Sequence, residues 1–77
     1  MEDHKKRMLY EYQQLVNRTI RLQNILTKSK NGELEFELAC PIELLERQLS
    51  VMREYAEILE KRAEIEGVKL SFHMEEE

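Results

Sequence analysis

The chain has one cysteine, one proline, two glycines and no tryptophan in 77 residues. A single cysteine, Cys40, excludes an internal disulfide framework. The two histidines, His4 and His73, stand near opposite ends without a partner motif, so no metal-ligand spacing is present. With so few breakers, long uninterrupted helices are possible and a turn-rich all-β fold is not. No apolar run approaches the roughly 18 residues needed to cross a bilayer, and the charged stretch from Met1 to Arg7 has no hydrophobic segment behind it. A cytoplasmic location is therefore expected, with no membrane partner. Catalytic groups are equally scarce: there is no glycine-rich phosphate loop, no paired-carboxylate arrangement and no Ser/His/Asp set. The expectation is a protein that is not an enzyme and uses no cofactor and no metal. Cys40, next to Pro41, reads as a small residue closing a loop, with a dipole-activated thiol as the alternative.

What the sequence does have is two heptad patterns on either side of a break from Ser29 to Pro41. Met8, Tyr12, Leu15, Thr19, Leu22 and Leu26 alternate at spacings of four and three, and Ile42, Leu45, Leu49, Met52, Ala56, Leu59 and Ala63 do the same. The expected fold is mainly α: one antiparallel two-helix hairpin, with helix 1 over about 3–29, a loop over 30–40, helix 2 over about 41–66 and a tail over 67–77. Asp3 is a candidate N-cap, Asn31-Gly32 a turn signal, Pro41 a favourable helix opening and Gly67 a left-handed stop.

Such a hairpin is small. A lone chain of this length buries only about 60% of its unfolded surface, and with disulfides and metals excluded the remaining supplement is association. Helix 2 carries a second row beside its seam, Leu44, Val51, Tyr55, Ile58 and Ile65, and helix 1 adds Leu9, Val16 and Ile20. One helical partner covers one stripe, so a homo-oligomer is expected, with a fat seam inside one chain as the alternative. Two segments switch to period two: Leu34 to Leu38, and Val68 to Met74. Both read as half-buried strands that pair between chains, with Phe36 and Phe72 at the interface, or as loop segments packed on helix ends.

Charge is lopsided. Residues 1–30 carry seven basic side chains against three acidic ones, whereas residues 31–77 carry five against thirteen. Either the two halves attract each other or the basic half meets an anion. Arg7, Gln14, Arg18, Arg21 and Lys28 share one face of helix 1 beside the seam that holds Tyr12. Guanidinium groups grip phosphate bidentately and a tyrosine stacks on a base, so these residues are the candidate ligand site; a solvated charge stripe is the competing reading. The net charge of −4 and the lack of a helix-turn-helix, finger or basic-zipper pattern argue against nucleic acid.

The stretches Arg7-Met8, Glu11-Tyr12-Gln13-Gln14-Leu15, Cys40-Pro41-Ile42-Glu43-Leu44-Leu45-Glu46-Arg47-Gln48, Met52-Arg53-Glu54-Tyr55 and Ile58 through Gly67 resemble a family of small bacteriophage proteins named after crAss-like phages. In size and hairpin form the chain is also similar to phage sponges that sequester the nucleotide signals of CBASS and Thoeris immunity. Those assemble as helical oligomers and hold ligands between subunits with a helix-1 tyrosine and a lysine about fifteen residues later. Tyr12 and Lys28, sixteen residues apart, are the counterparts here. The resemblance implies sequestration of a nucleotide-derived immune signal in the host cytoplasm. The alternative is an interaction protein that inhibits a host protein through the second row of helix 2.

Overall fold

The computed structural model describes residues 3–70. Two helices, α1 (Asp3–Lys30) and α2 (Ile42–Glu66), pack against each other as an antiparallel hairpin. With overall extents of 45 × 25 × 17 Å, the molecule is one helix layer thick, since a helix with its side chains is already about 10–12 Å across. Its core is therefore a seam between two rods.

The heptad residues form that seam. Met8, Leu15, Leu26, Leu49, Leu59 and Ala63 are buried, and Leu59 alone is completely enclosed. Tyr12, Thr19, Leu22, Leu45, Met52 and Ala56 are half-buried between them. The Thr19 hydroxyl, which sits in an otherwise apolar line, donates to the Leu15 carbonyl at 2.7 Å. That bond satisfies it within its own helix, as threonine commonly does. Among the described residues no buried side-chain nitrogen or oxygen is left without a partner.

Both helices end in the same way. Gly32 and Gly67 adopt φ of 70° and 72°, a conformation that costs other residues their Cβ clearance. Beyond each glycine the chain folds back onto a carbonyl of the last turn: the Glu33 N–H donates to Lys28 O at 2.8 Å, and the Val68 N–H to Ala63 O at 2.8 Å. These are Schellman closures, and they explain why the two glycines sit where they do. At the other end of α2, Pro41 holds φ −57° and ψ 142°, and its carbonyl receives the Leu44 N–H at 3.1 Å.

The strand reading is overturned where it can be examined. Residues 34–38 contain no strand; they form a bent connection with Leu34 and Leu38 half-buried and Glu35, Phe36 and Glu37 exposed. Residues 68–70 are likewise unpaired, and the rest of the second segment, including Phe72, lies outside the described residues. The reason is distance. One segment leaves the turn end and the other leaves the open end of a rod about 37 Å long, so neither meets a partner within the chain, and an unpaired five-residue run is not a stable strand. Alternation in so short a loop reflects leucines tucked under and glutamates turned out.

Candidate functional site

The two flanks of the seam differ in chemistry. On one flank the helices are tied by polar bridges: the Tyr12 hydroxyl donates to Glu60 Oε2 at 2.8 Å, and Lys30 Nζ lies 3.7 Å from Glu46 Oε2. Burial first, then the hydrogen bond and the negative charge of Glu60, push the Tyr12 phenol above its ordinary value of 10.0. All three causes favour the neutral, donating form.

The other flank is open. A groove of about 340 Å³ is lined by Tyr10, Glu11, Gln14, Leu15 and Arg18 of α1 and Tyr55 of α2. Nearer the open end, Arg7 and Arg62 border a second groove of about 290 Å³ with Asp3, His4, Met8 and Glu11. There the His4 ring meets the Glu66 carboxylate, which also takes Arg62 Nε at 3.6 Å. Nearer the turn, Lys28 borders a third groove of about 200 Å³ with Ile25, Glu33, Leu34, Glu35 and Phe36. By helical angle, Arg7, Gln14, Arg18, Arg21, Ile25 and Lys28 fall on this flank of α1, so the three grooves follow one another along a single face.

Of the sequence-derived ligand residues, Arg7, Arg18 and Lys28 are exposed and each borders one of these grooves. Arg21 is exposed and engaged in an interaction of its own. Tyr12 is not with them. It lies about 120° around α1 from Arg18, on the bridged flank, and its hydroxyl is committed to Glu60. The aromatic residues that accompany Arg18 are Tyr10, which is 65% exposed, and Tyr55. Tyr10 was legible in principle: it stands three residues after Arg7 and four before Gln14, within the basic stripe itself.

The second row of α2 lies along the same open face. Leu44, Val51, Tyr55, Ile58 and Ile65 are between 40% and 85% exposed, and Phe36 at the turn is 59% exposed. One face of the hairpin thus joins a line of cations on α1 to a line of bare apolar side chains on α2. This combination suits a ligand or partner with both an anionic and an apolar part. Among the described residues no three His, Cys, Asp or Glu side chains are placed to hold a metal, and no helix is long and apolar enough to cross a membrane.

Fold and face together define a helical hairpin with one flank that is both cationic and apolar. The chain belongs to the Sequestin family, whose model matches residues 2–65, that is α1, the connection and α2 almost to its end. The family name points to sequestration of some molecule. No curated protein and no solved structure matches the chain.

Proposed function

We propose that this protein is a non-catalytic phage anti-defence factor that sequesters a nucleotide-derived immune signal, of the cyclic oligonucleotide or cyclic ADP-ribose type, within an oligomeric assembly. The observation that carries the reading is the groove that sets Tyr10 and Tyr55 beside Arg18 and Gln14. Aromatic faces stack on a base whatever its identity, a guanidinium pairs two oxygens of a phosphate, and an amide reads a base edge or a ribose hydroxyl. Lys28 and Arg7, farther along the face, supply further cations for a ligand that carries more than one phosphate. Sequestration needs no bond making, and a site dominated by cations and aromatic faces supplies what holding a nucleotide requires.

Thermal melting with cyclic dinucleotides and with cyclic ADP-ribose isomers tests this. A ligand at 100 times its dissociation constant stabilises the folded state by about 2.7 kcal/mol. For a chain of this size that raises the midpoint by more than about 10 °C. If no nucleotide of either class moves the midpoint, the proposal fails. The second reading, a protein that binds and inhibits a host protein, is favoured by the bare row on α2, whose apolar character extends beyond what a small nucleotide covers. Nucleotide-independent capture of one host protein, lost on Ile58→Glu, would be its signature.

A further inference from the structure

The bridged flank carries a groove of its own. It lies near the turn, has a volume of about 330 Å³ and is floored by Leu26 and Leu49, both buried in the seam. Gln23, Thr27 and Lys30 of α1 form one wall; spaced four and three apart, they share one face of the helix. Glu46 and Arg53 of α2, two turns apart, form the other. Because the helices are antiparallel and Lys30 Nζ lies 3.7 Å from Glu46 Oε2, the residue seven before Lys30 stands across from the residue seven after Glu46. Gln23 therefore faces Arg53, and the groove runs about 10 Å between its two ends.

The ends differ in charge. At one, the Glu46 carboxylate is already balanced by Lys30. At the other, no carboxylate of the described residues is in ion-pair range of the exposed Arg53 guanidinium: Glu57, one turn on, does not reach it, and Glu60, the next acid on this flank, accepts the Tyr12 hydroxyl. One cation is thus uncommitted. Between the ends stand the Thr27 hydroxyl and the Gln23 amide, each able to donate and accept, with the Glu46 carboxylate as a further acceptor. Among the described residues no aromatic ring borders this groove, in contrast to the open face. A base finds nothing to stack on here.

We infer that this groove is a second ligand site and that its ligand is a phosphorylated sugar. The Arg53 guanidinium pairs two phosphate oxygens and the Gln23 amide donates to a third. Sugar hydroxyls meet Thr27 and Glu46, the latter held at the wall by Lys30, and the C–H face of the ring lies on Leu26 and Leu49. The site goes beyond the proposed nucleotide groove and shares no residue with it, so either can fail alone. Ribose phosphate reaches such a site as a free sugar phosphate or as the sugar and phosphate of a nucleotide.

Amide-resolved NMR titration of the whole chain tests this with four probes: ribose 5-phosphate, inorganic phosphate, ribose and AMP. Ribose 5-phosphate should give saturable shifts centred on Gln23, Thr27, Lys30 and Arg53, at least about tenfold tighter than inorganic phosphate, while ribose gives none. Arg53→Gln should lower that affinity about tenfold or more with helix content by circular dichroism unchanged, and Thr27→Val should lower it less. AMP bound at the same residues as tightly as ribose 5-phosphate identifies the source as a nucleotide; AMP excluded from them identifies a free sugar phosphate. No saturable shift with ribose 5-phosphate overturns the inference. So do equal affinity for inorganic phosphate, shifts that follow Tyr10 and Arg18 in place of this groove, and an Arg53→Gln variant that binds as the parent does.

Discussion

Leu59→Ala and Ile58→Ala are adjacent truncations whose costs should differ several-fold, because one residue is in the seam and the other on the open face. Leu59 is completely buried, whereas Ile58 is 55% exposed. Removing a buried leucine loses its transfer free energy and leaves a cavity, about 3 kcal/mol, nearer the low end of the usual range because a seam between two rods can partly collapse. At roughly 0.05–0.15 kcal/mol per residue, the whole fold is stable by only about 4–11 kcal/mol, so Leu59→Ala removes a quarter or more of it. The expected loss in melting temperature exceeds about 10 °C. Ile58→Ala in a lone hairpin costs about 1 kcal/mol or less, since half of the side chain is already in water and alanine is the better helix former. Urea melts of both variants at two protein concentrations measure this. If the open face pairs with a second copy, the parent midpoint rises with concentration and Ile58→Ala weakens that dependence, while Leu59→Ala shifts the midpoint at every concentration. Equal costs at the lower concentration, where the hairpin is alone, would refute the assignment of seam and face.

Three further outcomes are expected. Arg18→Glu should lower nucleotide affinity at least tenfold, about 1.4 kcal/mol, and Tyr10→Ala should weaken it comparably while Tyr12→Ala does so only through a loss of fold; calorimetric titration with circular dichroism as the fold control separates these. In alkali the hairpin should lose stability as pH rises from 10.0 upward: the Tyr12 phenol is raised in the folded state, so its contribution is whole below the unfolded value and is lost through the higher folded one. Tyr12→Phe should flatten that loss and cost about 0.5–1 kcal/mol at neutral pH, as expected for an exposed hydrogen bond to a carboxylate. Gly67→Ala should cost about 1 kcal/mol in a thermal melt, because an alanine at φ 72° meets its own backbone, and Gly67→Asn should cost less.

The seam was legible because a heptad repeat is a direct projection of geometry: residues three and four apart must share a face, and two such faces on either side of a turn must meet. The bare row of α2 was legible for the same reason. Tyr12 was harder. It belongs to the apolar repeat, so sequence places it beside the basic stripe, but a helix seam has two flanks and the repeat does not say on which a large side chain ends up. The hydrogen bond to Glu60, 48 residues away, settles that flank, and no local pattern in the sequence encodes it. Tyr10 fills the basic stripe between Arg7 and Gln14, but a lone aromatic among charged residues adds nothing to the apolar periodicity that marks a seam. Within one chain residues 34–38 follow the loop alternative: period-two alternation reports only which side chains are sheltered, and the length of the rods keeps the two segments of one chain from pairing.

The division between the flanks bears on how binding and stability are connected. Tyr12 to Glu60 and Lys30 to Glu46 close one side with partly solvated polar contacts, each worth little by itself. Among the described residues the seam contributes six buried side chains, of which Leu59 is fully enclosed. The largest remaining source of apolar stabilisation is the row that the lone hairpin leaves in water. Whatever covers that row adds to the stability of the same two helices that present it, so binding on the open face and the register of α1 on α2 are linked. A ligand held by Arg18 on α1 and Tyr55 on α2 touches both rods at once and resists their sliding apart. In the proposed sequestering role that linkage is useful in a direct way: slow opening of the hairpin and slow release of the bound molecule become the same event.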